Sequence, residues 1–134
     1  MNVVSSQTEL ALKESGLPQP EPEPGQFWHK TIFKGGTAEH TALCVLLKFG
    51  SQIVMQAIQP TWNYPGNSGF DEDAVFAPDL DYITAHLPPG FILEMWDGRH
   101  SCKIETEETT IRTMADSFAE AAALVYLELK QKQV

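Results

Sequence analysis

The chain has 134 residues, 43% of them apolar and 20% charged, with a net charge of −9. That excludes wholesale disorder and suits a single globular domain with a sizeable core. The charge is uneven, with a net of −1 over residues 1–67 and −8 over residues 68–134. Such a chain repels phosphate backbones, so direct nucleic-acid binding is not expected, and a partner with a basic surface is favoured; solubility is the plainer use of the same charge.

No apolar run is long enough to span a bilayer, and the opening MNVVSSQTELALKES lacks a basic segment followed by an apolar one. Neither a membrane span nor a secretory signal is expected, and the location read from this is cytoplasmic. Cys44 and Cys102 are far apart, fit no metal-ligand spacing and fall within predicted strands, where free cysteine behaves as a small buried hydrophobe.

In chain order, residues 6–17 carry helix punctuation. Ser6 and Glu9 read as a capping box, and Gly16 as a left-handed stop that folds Leu17 onto Leu12. LPQPEPEPG then reads as a stiff tether of roughly 25 Å, at about 3.1 Å per residue. Phe27, Trp28, Thr31, Ile32 and Phe33 favour a strand that ends at Gly35-Gly36. Residues 37–49 fit either a helix capped by Thr37 and stopped by Gly50 or the first arm of a hairpin. The hairpin is preferred, with LCVLLKF and QIVMQAI joined at Gly50-Ser51 so that Leu47 faces Val54, Leu46 faces Met55 and Leu43 faces Ile58.

PTWNYPGNSGFDED, residues 60–73, reads as a long loop. Trp62 and Tyr64 in it either stack on a planar ligand, anchor a protein partner, or fold back over a sheet edge. Asp71, Glu72 and Asp73 lack the calcium-loop pattern and read as a solvated cluster that a basic partner could meet. Asp79 caps a short helix through Leu80, Ile83 and Leu87, ended by Pro88-Pro89-Gly90.

From Phe91 the pattern is clearest. With Asp97-Gly98 as a two-residue turn, Met95 pairs with His100, Leu93 with Cys102 and Phe91 with Ile104 on an apolar face. Trp96 pairs with Arg99, Glu94 with Ser101 and Ile92 with Lys103 on the other, with Arg99 predicted to lie over the Trp96 ring. TTIRTMAD is a third strand. Ser117 starts the last helix, Glu120 completes a second capping box, and Phe118, Ala121, Ala122, Val125 and Leu129 form the core stripe. Ala123, Leu124 and Leu127 fall outside that stripe, to be covered either by the N-terminal helix or by another subunit. The resulting class is α+β: antiparallel β-sheets with the C-terminal helix packed on the sheet, and a short N-terminal helix on a Pro-rich tether. Residues 1–25 form the helix and tether, and residues 26–134 a single α+β domain.

His29, His40, His86 and His100 have no zinc-type spacing, KGGT lacks a phosphate-loop frame, and His100 with Cys102 is a thin candidate for a nucleophile pair. No cofactor or metal is expected. PEPGQFWH, opening the β-rich part, and MADSFAEAAALVYLELKQ, closing the chain, resemble small uncharacterised proteins encoded by bacteria and their phages, in which a strand feeds a helix like the one starting over Asp116 to Ala121. The resemblance implies an accessory protein of a phage or mobile element and no activity. The leading functional expectation is a non-enzymatic binding or inhibitory protein that occupies a protein partner, with nucleic-acid mimicry as one form. Its alternatives are binding of a small, nucleotide-like ligand at loop 60–73 and a homo-oligomeric structural protein joined through the last helix.

Overall fold

A computed structural model of the chain describes residues 3–34, 37–58 and 67–132. The elements are α1 (Ser6–Glu14), β1 (Phe27–Lys34), β2 (Thr37–Phe49), β3 (Gln52–Ala57), β4 (Asn67–Gly69), β5 (Val75–Phe76), α2 (Leu80–Thr84), β6 (Ile92–Trp96), β7 (Arg99–Glu105), β8 (Thr110–Ala115) and α3 (Phe118–Lys132). They build two antiparallel sheets, β4-β3-β2-β1-β5 and β6-β7-β8, so the α+β class holds. The chain divides into two compact units, Met1–Leu17 with Pro78–Val134, and Pro18–Ala77. The second is an insertion within the first. A division after residue 25 is therefore not where the contacts part the chain, because α1 belongs with the C-terminal elements and the Pro-rich segment with the first sheet.

In the inserted unit, residues 37–49 are strand throughout, and the Gly50 turn (φ 61°) sets the expected register, Leu47 opposite Val54 and Leu46 opposite Met55. Ile58 N–H donates to Leu43 O at 3.0 Å, continuing it. One sheet face buries Trp28, Cys44, Leu46, Met55, Ala57 and Phe76, with Phe70 and Phe76 set edge-on to the Trp28 ring. The Pro-rich stretch is not a free tether. Gly25 N–H donates to Leu46 O, Leu46 N–H donates to Gln26 O, and the Gln26 side-chain oxygen accepts from Trp28 Nε1 and from Glu23 N. Further back, Gln19 Oε1 accepts from Phe76 N. The extended shape that proline imposes thus serves as a strap along the sheet. The expected loop 60–73 is also shorter than read, because Asn67–Gly69 pairs with β3 as a brief strand.

In the first unit, Ser5 rather than Ser6 caps α1 and accepts from Thr8 N at 3.3 Å. Gly16 (φ 101°) ends the helix, with Gly16 N–H donating to Lys13 O and Leu17 N–H to Leu12 O, the expected left-handed stop. Glu9 is not left on the surface. It turns inward and is 2% exposed. At α3, Ser117 Oγ accepts from Glu120 N at 3.1 Å, half of the expected box. The Glu120 carboxylate instead accepts from Ser5 N–H at 2.9 Å and from the Thr8 hydroxyl. One carboxylate therefore stands at the positive ends of two helices, which ties α1 to α3.

The β6–β7 hairpin has the register read from the sequence, with Asp97 (φ 52°) and Gly98 (φ 77°) as its two-residue turn. β8 adds alongside β7, and α3 packs against both. Ala119, Ala121, Ala122, Ala123 and Val125 are fully buried, since α1 and α2 pack on the helix where the sheet does not. Leu124 and Leu127 are half-buried against the same core as Val4, Leu12, Leu17 and Ile83. The N-terminal helix, one of the two covers expected for Ala123, Leu124 and Leu127, packs on α3.

Burial pushes the Glu9 carboxyl up to about 9 from an ordinary 4.5. The folded state thus holds a proton that the unfolded chain releases at a lower pH, so this group makes stability fall as pH rises from about 4.5 to about 9. At pH 7 the cost is on the order of 3 kcal/mol. His29 acts oppositely and over a lower window, because burial lowers it from 6.5 to about 4 and stability is lost as pH falls through that range. Above pH 6.5 the Glu9 effect therefore acts without opposition from His29. Glu9→Gln should raise the urea midpoint, by more at pH 8.5 than at pH 6.5. A wild-type midpoint that is flat across that interval would contradict this assignment.

Candidate partner-binding face

The outer face of the β6-β7-β8 sheet follows from its register and the alternation of side chains. Ile92, Lys103 and Arg112 form one row, Glu94, Ser101 and Met114 the next, and Trp96 with Arg99 the row at the hairpin tip. The opposite face carries Leu93, Cys102, Ile104, Ile111 and Thr113 into the core under α3. Three bases and two acids stand on the outer face of a chain whose net charge is −9.

Arg112 organises this face. Its Nη1 donates to Glu94 Oε1 at 3.0 Å and to Ser101 Oγ at 3.0 Å. Its guanidinium carbon lies 4.0 Å from the centre of the Trp96 ring. Ser101, on this same face, is fully buried with its hydroxyl satisfied. The predicted cation over Trp96 is thus Arg112 and not Arg99. Arg99 stands at the last pair before the turn, and its side chain is exposed. Arg112 approaches from the third strand, already braced by Glu94. Around this cluster Ile92, Trp96 and Met114 remain 48%, 49% and 38% exposed.

Lys103 and Glu105 form a further pair at 2.6 Å, and the hydrogen bond from Lys103 holds the Glu105 carboxyl below its ordinary range. The pair is surface-exposed and contributes little to stability. Arg99 has no ion pair among the described residues.

Trp62 and Tyr64 lie outside the described residues. Asp71 folds onto its own turn, accepting from Asp73 N at 2.9 Å and standing 3.9 Å from the Lys30 ammonium, while Glu72 and Asp73 are exposed. His100 packs edge-on to Phe118 at 4.6 Å. Cys102 is fully buried, which pushes its thiol up to about 11, so it stays protonated at neutral pH and the two do not form an activated pair. Among the described residues no group of three His, Cys, Asp or Glu side chains could hold a metal ion, and no helix is long and apolar enough to cross a membrane.

Open grooves also occur among the described residues. One of about 530 Å³ is lined by Pro22, Gln52, Ile53, Gly69 and Phe70 and has no charged side chain. Another, of about 510 Å³, runs between α1 and α3 past Glu14 and Lys130.

Ile92, Arg112 and Met114 were missing from the candidates read in the sequence. The alternation of Thr110, Arg112 and Met114 with Ile111, Thr113 and Ala115 was the available signal, but it becomes a site only once β8 is paired to β7. No family model matches the chain, and no curated protein or solved structure was found similar to it.

Arg112→Ala should lower stability by about 1–2 kcal/mol, since it strips the partner from Ser101 and Glu94 and uncovers Trp96. Arg99→Ala should change it by less than about 0.5 kcal/mol. Urea unfolding of the two variants checks this, and equal losses would contradict the assignment of Arg112 as the brace.

Proposed function

We propose that the protein is a non-enzymatic binding protein that acts by occupying a protein partner, and that the outer face of β6-β7-β8 is where it docks. The observation that carries this reading is Trp96, a half-exposed indole with apolar neighbours, held by an Arg112 already bonded to Glu94 and Ser101. Exposed Trp and Arg with apolar neighbours are the residues that dominate protein interfaces, and side chains fixed in advance lose less entropy on binding. The accessory role implied by the resemblance to small bacterial and phage proteins is compatible with such a mode of action. Nucleic acid is a poorer fit to a chain of net charge −9.

A second reading places a basic partner on the acidic turn, favoured by the exposure of Glu72 and Asp73. Affinity capture separates the two. Immobilised wild-type protein should retain a protein that folded Trp96→Ala loses and that Glu72→Gln/Asp73→Asn keeps. Retention lost in the acidic variant alone would move the site to the turn. Equal recovery on all three would refute both.

A further inference from the structure

We propose that the occupant of the outer sheet face is a protein segment that sets a single carboxylate, flanked by apolar side chains, against Arg99. The inference rests on the docking face proposed above and specifies what lies on it. Three cations stand on this face. Arg112 is bonded to Glu94, and Lys103 is bonded to Glu105, so their charge is met from within the sheet. Arg99 is exposed, has no ion pair among the described residues, and stands directly opposite Trp96 in the register. A carboxylate brought to its guanidinium would be set beside the half-exposed indole, with Met114 and Ile92 further down the face. An ion pair partly withdrawn from water in that way contributes more than one on an open rim, and it selects against a partner with a basic group there.

The net charge of the chain limits the occupant to few negative groups. Outside these three bases and two acids the chain carries the whole of its acidic excess. A polyanion such as single-stranded nucleic acid is repelled over its length, whereas one carboxylate in an apolar segment is met locally. A second copy of this chain brings its own acidic excess to the contact and is disfavoured on the same ground.

Selection of short random peptides displayed on phage, panned on the full-length protein at physiological salt, tests the proposal. Enriched sequences should place Asp or Glu beside Trp, Phe, Leu, Ile or Met. A synthetic peptide from that pool should lose roughly tenfold in affinity on Arg99→Gln, more on Arg99→Glu, and most of its binding on Trp96→Ala. Replacing its acid by Lys should restore binding to the Arg99→Glu protein. Each variant is first matched to wild type by circular dichroism, and Arg99→Gln serves if the reversal misfolds. Peptides that depend on Trp96 but not on Arg99 would overturn the carboxylate claim and leave the docking face standing. Failure to recover any Trp96-dependent peptide would overturn both. Trp96-dependent binding of an oligothymidylate, or a dimer abolished by Arg99→Glu, would equally overturn the proposed occupant.

Discussion

The burial of α3 on nearly every side is the constraint from which the rest of the discontinuous unit follows. Its run of alanines lets the β7 and β8 strands approach closely on one side, while α1 and α2 close the remainder. All three helices of this unit are drawn to that side of the sheet, and the unit's own elements leave the other side to side chains. The Glu120 carboxylate holds the arrangement at one end, since it stands in the first turn of α3 and accepts from Ser5 and Thr8 at the N-terminus of α1. Glu9 shows that the closure has a cost, since a carboxyl group is taken inside where its ionised form is disfavoured.

On the uncovered side, the sheet is finished by an internally satisfied cluster rather than by a polar surface. Arg112 uses one nitrogen for two acceptors and the plane of its guanidinium for Trp96, so a long side chain that would ordinarily be mobile is fixed. Ser101 is fully buried there, and its hydroxyl accepts from that guanidinium. The apolar groups beside it stay accessible, which makes the face rigid and adhesive at once.

What the sequence made legible was local. The Asp97-Gly98 turn and the alternation around it specify five cross-strand pairs without ambiguity, and the Gly50-Ser51 turn does the same for β2 and β3 once a strand is chosen over a helix. Asp79 and Gly16 act as punctuation wherever they occur. The features that escaped depend on distant neighbours. Nothing within residues 5–14 shows that Glu120 will bond Ser5 and Thr8, and without that contact a box of Ser6 and Glu9 is the better local account. The prolines of residues 18–24 predict an extended chain correctly, yet only the bonds of Gln19, Gly25 and Gln26 to the sheet decide whether it is a tether or a strap. Arg112 belongs to the same class, because its distance from Trp96 is set by the pairing of three strands.

Oxidative footprinting of the free protein tests the central claim most directly, because an open outer face makes specific residues reactive. Trp96 and Met114 should be oxidised far faster than Trp28 and Met55, which are buried in the inserted unit. They should then become protected in a complex captured through this face. Protection of Trp96 and Met114 in the free protein would show that the face is already covered, and would contradict its role as a docking surface.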